Sequence, residues 1–203
     1  MGMSATLTDR SAHIERATLE TRIVADLDLG GGNAAADTGV PFLDHMLSAL
    51  GKHGRIGLVV ACDGDADMDP HHTVEDVGIV VGQALKQALG DRRGIQRYGY
   101  AYAPLDEALA RVVVDCSGRP YLHYEVQMPE PVIGRDFSTT LIEEFWRSLA
   151  MNAGLTMHID LLRARNAHHA AEAIFKAGAL AIRQAVSPFG DPDMMPSTKG
   201  VLA

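Results

Sequence analysis

The strongest constraint on the fold of this chain is a His-His-x-x-Glu motif that occurs twice. The motif spans residues 71–75 and returns at residues 168–172, an offset of 97 residues. The similarity continues downstream at the same offset, where the identical pairs are Ala84 and Ala181, Gln87 and Gln184, and Ala88 and Ala185. A chain of 203 residues is long enough for one compact domain or for two fused halves of about 100 residues each. The repeat therefore predicts two related halves, each containing a metal-binding helix.

The composition of the chain limits the kinds of molecule that it is expected to bind. The formal net charge is −8, from 18 basic and 26 acidic residues, which leaves no broad basic face for nucleic acid. Cys62 and Cys116 stand alone, so the chain lacks both a disulfide framework and a Cys-x-x-Cys metal site. No stretch approaches ~18 uninterrupted apolar residues, and the N-terminal segment lacks the apolar core of a signal peptide. We therefore expect a cytoplasmic protein that binds neither nucleic acid nor a membrane.

Hydrophobic spacing and turn residues predict the order of the secondary-structure elements. The predicted helices are residues 42–53, 71–90, 140–152 and 167–186. The predicted strands are residues 14–29, 56–62, 110–115, 121–127 and 155–162, with a tight turn at the glycines after residue 29. The acidic segment 63–69 fails the calcium-loop template and is predicted to be a solvated loop. We expect His13 and His123 at the surface, and His158, on an apolar strand, in the core.

Helix geometry explains what the repeated motif can bind. Residues four apart lie on one face of an α-helix, whereas adjacent residues are turned by about 100°. His71 and Glu75 can therefore chelate one ion, and the second motif can do the same. The middle histidines, His72 and His169, point elsewhere and are available to a second ion. A single His-His pair is more typical of a polar helix start, but two copies with the same glutamate offset favour metal binding.

The helices that precede the two motifs offer one further ligand each. Aligning Leu50 with Leu149 places His45 opposite Glu144. The complete set of candidate ligands is His45, His71, His72, Glu75, Glu144, His168, His169 and Glu172. Because the set contains nitrogen and oxygen but no thiolate, it suits Mn²⁺, Fe²⁺ or another six-coordinate ion at least as well as Zn²⁺.

Four segments give the chain a resemblance to a known enzyme family. They are residues 41–47, 69–76, 165–176 and 196–200, within a similarity that spans roughly residues 12–202. At these residues the chain resembles the imidazoleglycerol-phosphate dehydratases of histidine biosynthesis. The resemblance implies an α+β fold: an internally duplicated half-domain with helices packed between two four-stranded mixed sheets. It implies a single domain over residues 1–203, with halves at about 12–93 and 94–186 and a C-terminal substrate-binding tail at 187–203.

The resemblance also implies an activity and the residues that perform it. The reaction is the Mn²⁺-dependent dehydration of D-erythro-imidazole-glycerol phosphate to imidazole-acetol phosphate, with two Mn²⁺ ions per active site and other divalent ions left open. Glu20 and Asp106 are the implied catalytic residues. The implied substrate-binding residues are Glu20, His53, Arg97, Arg119, Ser197 and Lys199. Family members assemble into cages of 24 subunits with metal at subunit interfaces, and many carry His where this chain has Glu144.

A binuclear hydrolase and a structural cage are the two alternatives to the dehydratase function. A binuclear hydrolase usually holds its metals about 3.5–4 Å apart with bridging carboxylates, whereas these ligands are rich in histidine and diverge from their helices. A metal-stapled structural or storage cage would explain the ligands. It would not explain the arginines or the lysine in the C-terminal tail.

Overall fold

Two successive sets of strands and helices build the molecule, which the computed structural model describes over residues 10–64 and 69–202. The elements of the first half are β1 (Ser11–Ala17), β2 (Thr21–Asp28), β3 (Ala34–Asp37), α1 (Pro41–Gly54), β4 (Gly57–Gly64) and α2 (Pro70–Leu89). Those of the second half are β5 (Tyr98–Leu105), β6 (Ala108–Asp115), β7 (Tyr121–Glu125), β8 (Val132–Ile133), β9 (Phe137–Ser138), α3 (Thr140–Ala153), β10 (Thr156–Arg163) and α4 (Ala167–Val186).

The two halves form equivalent four-stranded mixed sheets. The strand orders are β1-β2-β4-β3 and β5-β6-β10-β7. In each sheet a hairpin extends into a third antiparallel strand, and the fourth strand pairs in parallel, β3 with β4 and β7 with β10. This arrangement confirms the predicted α+β fold and its duplication. The exact division of the chain at 93/94 and the separate role of the tail stay predictions.

The four helices lie between the sheets and pair across the two halves. α2 packs on β1, β2 and β4, and α4 packs on β5, β6 and β10. Between the layers, α2 contacts α3 of the other half, and α1 contacts α4 of the other half. Glycines permit the close approach, since a Cβ at Gly78 would lie 2.8 Å from the Phe145 carbonyl oxygen. The halves therefore share one core.

The strand predicted at residues 14–29 is in fact a hairpin. β1 and β2 are separated by a turn in which Thr18 Oγ1 accepts the N–H groups of Glu20 and Thr21, at 3.1 and 3.0 Å. The prediction was wrong here because apolar residues alternate with polar ones on both sides of the turn, which conceals the chain reversal. The turn places Glu20 at the end of the hairpin instead of within a strand.

Strand β5 was not predicted, for a packing reason. Its inward positions include Gly99, where an added Cβ would lie 1.9 Å from the Ala181 carbonyl oxygen of α4. The close approach of α4 requires small residues on this strand, so the usual alternation of large apolar side chains is missing. The short strands β3, β8 and β9 were not predicted either, and Ala34–Asp37 consists of three alanines and an aspartate, with no large apolar side chain.

The prediction for His158 was also wrong. On β10 the buried neighbours Met157 and Ile159 point inward, and because strand side chains alternate, His158 lies exposed on the outer face beside His123. His13 and His123 are exposed, as predicted. The loop predicted at 63–69 includes residues 65–68, which lie outside the described residues. None of the helices in the described ranges is both long and apolar enough to cross a membrane.

Candidate active site

Side-chain caps fix the starts of the two motif helices. Asp69 accepts the N–H of His71 at 2.9 Å, and Pro70 occupies the first turn of α2. Asn166 accepts the N–H of His169 at 3.0 Å at the start of α4. Such caps satisfy amide groups that have no partner within the helix and hold the first turn in place. Each His-His pair therefore lies on an ordered first turn.

Three predicted ligands from the two halves converge in one cluster. Glu172 Oε2 lies 3.3 Å from both His45 Nε2 and His168 Nε2. The three ligand atoms lie within 4.8 Å of one another. Metal–ligand bonds of about 2.0–2.2 Å separate adjacent ligand atoms by roughly 3 Å, so this cluster fits a divalent ion with small adjustments. The Phe42 ring packs against both imidazoles, with centroid distances of 6.4 and 5.3 Å, and limits their rotation.

Glu172 is held in the charged form that a metal requires. Its second oxygen, Oε1, accepts a hydrogen bond from Lys176 Nζ at 2.7 Å. Partial burial acts to raise the pKa of Glu172, but hydrogen bonds from Lys176 and His45 outweigh it and bring the pKa to about 2. Lys176 was not among the predicted site residues. Its position four residues after Glu172, on the same helix face, was the signal that could have identified it.

In the first half, the candidate ligand atoms of the motif lie farther apart than in the second half. His71 Nε2 lies 3.8 Å from Glu75 Oε2. Glu144 is half-buried on α3, the helix that packs against α2, just as His45 lies on the helix that packs against α4. Within the described ranges, however, only the cluster of His45, His168 and Glu172 brings three candidate ligands together. The ligand roles of His71, Glu75 and Glu144 stay predictions.

The middle histidine of each motif faces an acid from the first hairpin turn of its own half. His72 Nδ1 lies 3.8 Å from Glu20 Oε2 in the β1–β2 turn. His169 Nδ1 lies 2.8 Å from Glu107 Oε2 in the β5–β6 turn. The hydrogen bond from His169 is the main reason that the pKa of Glu107 falls to about 2. The residue predicted from the sequence to be catalytic is the adjacent Asp106, which is exposed at the same turn, and Glu107 was not predicted. The catalytic role of Asp106 stays a prediction.

The predicted phosphate-binding residues include a group joined by Asp115. Arg97 donates from Nε and Nη2 to Asp115 at 2.8 and 3.2 Å, and from Nη1 to the Pro196 carbonyl oxygen at 2.7 Å. Its hydrogen bonds with Asp115 raise the pKa of Arg97 further. Arg119 Nη2 lies 4.0 Å from Asp115, and its side chain is exposed. Arg97 thus binds the backbone at the start of the segment that contains Ser197 and Lys199.

His53 belongs to a different part of the site. It lies near the end of α1, and burial, followed by the charge of Lys176, lowers its pKa. The nearby charge of Glu172 acts in the opposite direction. The predicted substrate residues therefore lie in three places in one chain: around Asp115, beside the cluster of His45, His168 and Glu172, and at the β1–β2 turn that carries Glu20.

A buried carboxylate ties the Glu20 turn to the first motif helix. Asp76 Oδ2 accepts a hydrogen bond from Thr21 Oγ1 at 2.5 Å, and Asp76 Oδ1 lies 2.7 Å from Arg16 Nη1. Asp76 is on α2, one residue after Glu75, whereas Arg16 and Thr21 flank the turn that carries Glu20. These contacts connect the turn to the helix that presents His72.

We expect Asp76→Ala to lower the free energy of unfolding by about 2–4 kcal/mol, because it leaves Arg16 and Thr21 without their partner at a largely buried position. Urea denaturation of the two proteins measures the difference. Asp26→Ala is a matched control on the same sheet, since Asp26 is an exposed carboxylate paired with His13. A loss no larger for Asp76→Ala than for Asp26→Ala would contradict the structural role.

Comparison with known proteins identifies the family. The family model "Imidazoleglycerol-phosphate dehydratase" matches residues 38–182. The dehydratase of Nitrosococcus oceani is 54% identical over 200 residues, covering 97% of this chain and 100% of that protein. The dehydratase of Aromatoleum aromaticum is 55% identical over 195 residues, covering 95% and 100%.

Solved structures agree with this match in sequence and in fold. The crystal structure of the dehydratase from Staphylococcus aureus superposes with a TM-score of 0.80 at 40% identity, covering 88% of this chain and 99% of that one. The enzyme from Pyrococcus furiosus gives a TM-score of 0.81 at 35% identity, covering 93% and 100%. Together with the convergent histidines and glutamate, these similarities show that the chain belongs to the imidazoleglycerol-phosphate dehydratase family.

Proposed function

We propose that this chain catalyses the Mn²⁺-dependent dehydration of D-erythro-imidazole-glycerol phosphate to imidazole-acetol phosphate, a hydro-lyase step of histidine biosynthesis. Beyond family membership, the observation that carries the proposal is the cluster of His45, His168 and Glu172. It provides two imidazoles and a carboxylate on two packed helices, a ligand set suited to a six-coordinate divalent ion. The substrate is a charged, water-soluble metabolite, so we expect the enzyme in the cytoplasm.

The reaction removes one proton from carbon and one hydroxyl group, which leave together as water, and the resulting enol tautomerises to the ketone. The carbon-bound proton has no neighbouring carbonyl to make it acidic, so the electrons must move into the imidazole ring of the substrate. When bound, Mn²⁺ supplies Lewis-acid stabilisation of the negative charge on that ring. The protein must then place the ring, the base and the phosphate in a fixed relation to one another.

Glu20 is the candidate general base. Its carboxylate lies 3.8 Å from His72 and remains accessible at the end of the hairpin. The network of Thr18, Thr21 and Asp76 holds the turn, so the carboxylate can meet the substrate at a defined position. Asp106 is the candidate for the complementary proton transfer to the leaving hydroxyl. Positioned acids and bases of this kind typically contribute a factor of about 10²–10⁴ in rate.

The phosphate is assigned to the cations around Asp115 and in the tail. Arg97 is oriented by its paired hydrogen bonds with Asp115, and the exposed Arg119 retains donors for a phosphate. Ser197 Oγ accepts the N–H of Lys199 at 3.2 Å, so these two residues lie in one turn of the tail. Guanidinium groups match phosphate geometry through paired hydrogen bonds, which explains the use of arginine here. His53 is assigned to the substrate pocket beside the metal cluster.

We further propose that metal binding and self-association are linked. His45, His168 and Glu172 would supply three ligands to Mn²⁺, fewer than the six that this ion prefers, so further ligands would have to come from substrate, water or another copy of the chain. The ring of His72 is turned 82° from that of His71, and the ring of His169 is turned 86° from that of His168, so the two histidines of each motif are not aligned on one ion. A neighbouring copy can therefore complete the coordination, with two ions per active site. This argument supports self-association with metal at the interfaces, and the number of 24 subunits is what the family resemblance implies.

The decisive experiment measures product formation by metal-stripped protein with and without added Mn²⁺. We expect imidazole-acetol phosphate only after Mn²⁺ is restored, and gel filtration on the same samples reports whether assembly follows the metal. Inorganic phosphate is measured in parallel, because its release would support a metal-dependent hydrolase instead. Tight uptake of Mn²⁺ without either product would contradict the enzymatic proposal and favour a structural cage.

A further inference from the structure

The two acids at the hairpin turns, Glu20 and Glu107, occupy equivalent positions but make different contacts. Glu107 Oε2 forms a 2.8 Å hydrogen bond with His169 Nδ1, whereas Glu20 Oε2 lies 3.8 Å from His72 Nδ1, beyond hydrogen-bonding distance. The Glu20 side chain is also 53% exposed, compared with 30% for Glu107. The turn glutamate is therefore hydrogen-bonded to the motif histidine in the second half, whereas in the first half the two side chains lie farther apart.

Glu107 makes further contacts with the backbone that leads into α4. Its Oε1 accepts the N–H groups of Arg165 and Asn166, at 3.2 and 3.1 Å. Asn166 in turn caps α4 by accepting the N–H of His169. One carboxylate thus fixes both the ring of His169 and the backbone from which that ring projects.

We propose that Glu107 is a positioning residue that holds the His169 ring so that Nε2 faces outward as a metal ligand. The inference rests on the proposed function, in which His169 binds Mn²⁺. Because Nδ1 keeps its proton and donates a hydrogen bond to Glu107, Nε2 is the nitrogen with a free lone pair in the neutral ring. A carboxylate behind a ligating histidine fixes the tautomer and the ring orientation and makes the ligand nitrogen more basic.

The same comparison separates the tasks of the two acids. A carboxylate has about four lone-pair sites, and three of those of Glu107 already accept the His169 ring N–H and two backbone N–H groups. Glu20 Oε2 lies beyond hydrogen-bonding distance of His72 Nδ1, so the Glu20 carboxylate can accept a proton from the substrate. The two glutamates therefore have different roles: Glu107 positions the metal ligand His169, and Glu20 transfers a proton with the substrate.

The test measures Mn²⁺ affinity of metal-stripped Glu107→Gln by following free Mn²⁺ with electron paramagnetic resonance. We expect binding at the affected sites to weaken 10–100-fold, the usual effect of losing an outer partner of a ligand. Thermal unfolding of the metal-free proteins checks that the fold is retained, and Glu107→Asp provides a second variant that keeps the charge but shortens the side chain. We expect Glu107→Asp to bind more tightly than Glu107→Gln.

Glu130→Gln is the matched control, because Glu130 Oε2 accepts the Ala167 N–H at 2.8 Å at the same helix start without bonding the His169 ring. We expect its Mn²⁺ affinity to stay within about threefold of the parent. Unchanged affinity in Glu107→Gln would overturn the inference, as would an equal loss in Glu130→Gln, which would indicate a role in anchoring the helix alone. Affinity and turnover are separate readouts, so a parent protein that binds Mn²⁺ but makes no product refutes the dehydratase proposal and leaves the Glu107 test valid.

Discussion

Glu172→Gln should lower Mn²⁺ affinity at the His45–His168–Glu172 cluster by more than about 100-fold, beyond the usual effect of changing an outer partner. Glu172 is the cluster's carboxylate, and its Oε2 lies 3.3 Å from both ring nitrogens. Glutamine keeps the shape but removes the negative charge that balances a divalent cation. The change also leaves Lys176, only 18% exposed, without its charged partner.

Metal content per chain after gel filtration, together with turnover at a fixed Mn²⁺ concentration, measures the effect. Half of the bound metal should be lost if the two ion sites are independent, and turnover should fall with it. Glu125→Gln, at an exposed position on β7, serves as the control for loss of a surface carboxylate. Full metal content in Glu172→Gln would remove this cluster from the proposed site.

Glu20→Gln is expected to have the second large effect, a fall in kcat of about 10²–10⁴-fold with no change in metal content. The carboxylate lies beside His72 but beyond hydrogen-bonding distance, so its replacement should leave the metal ligands undisturbed. The Thr18–Thr21 contacts that close the turn do not involve the Glu20 side chain, so the hairpin should persist.

Steady-state kinetics and metal analysis of the same preparation separate the two readouts. Glu15→Gln is the matched control, because Glu15 is an exposed glutamate on the same hairpin that contacts His13. A kcat within threefold of the parent would rule out Glu20 as the base and make Asp106 the next residue to test. Loss of bound metal together with kcat would instead indicate that Glu20 supports His72 in the way that we propose for Glu107 and His169.

Local sequence was sufficient to predict the helices. The predicted range 167–186 coincides with α4, and 42–53 and 140–152 each fall one residue short of α1 and α3 at one or both ends. Helix periodicity and capping residues act over one or two turns, so a short window of sequence contains the necessary information. The same locality made His168 and Glu172 recognisable as a chelating pair, since their spacing alone places them on one helix face.

Which residues meet across the molecule was decided by packing. His45 and Glu172 are 127 residues apart, and they meet because α1 of one half packs on α4 of the other. Glu107 rather than Asp106 meets His169 because the β5–β6 turn presents one side chain to α4 and the other to solvent. The sequence by itself therefore determined that there are two related halves and where the two helices with the repeated motif lie, and its resemblance to the family implied the α+β fold. The tertiary structure alone decided which ligands converge, since those contacts depend on burial of a shared core that no local pattern encodes.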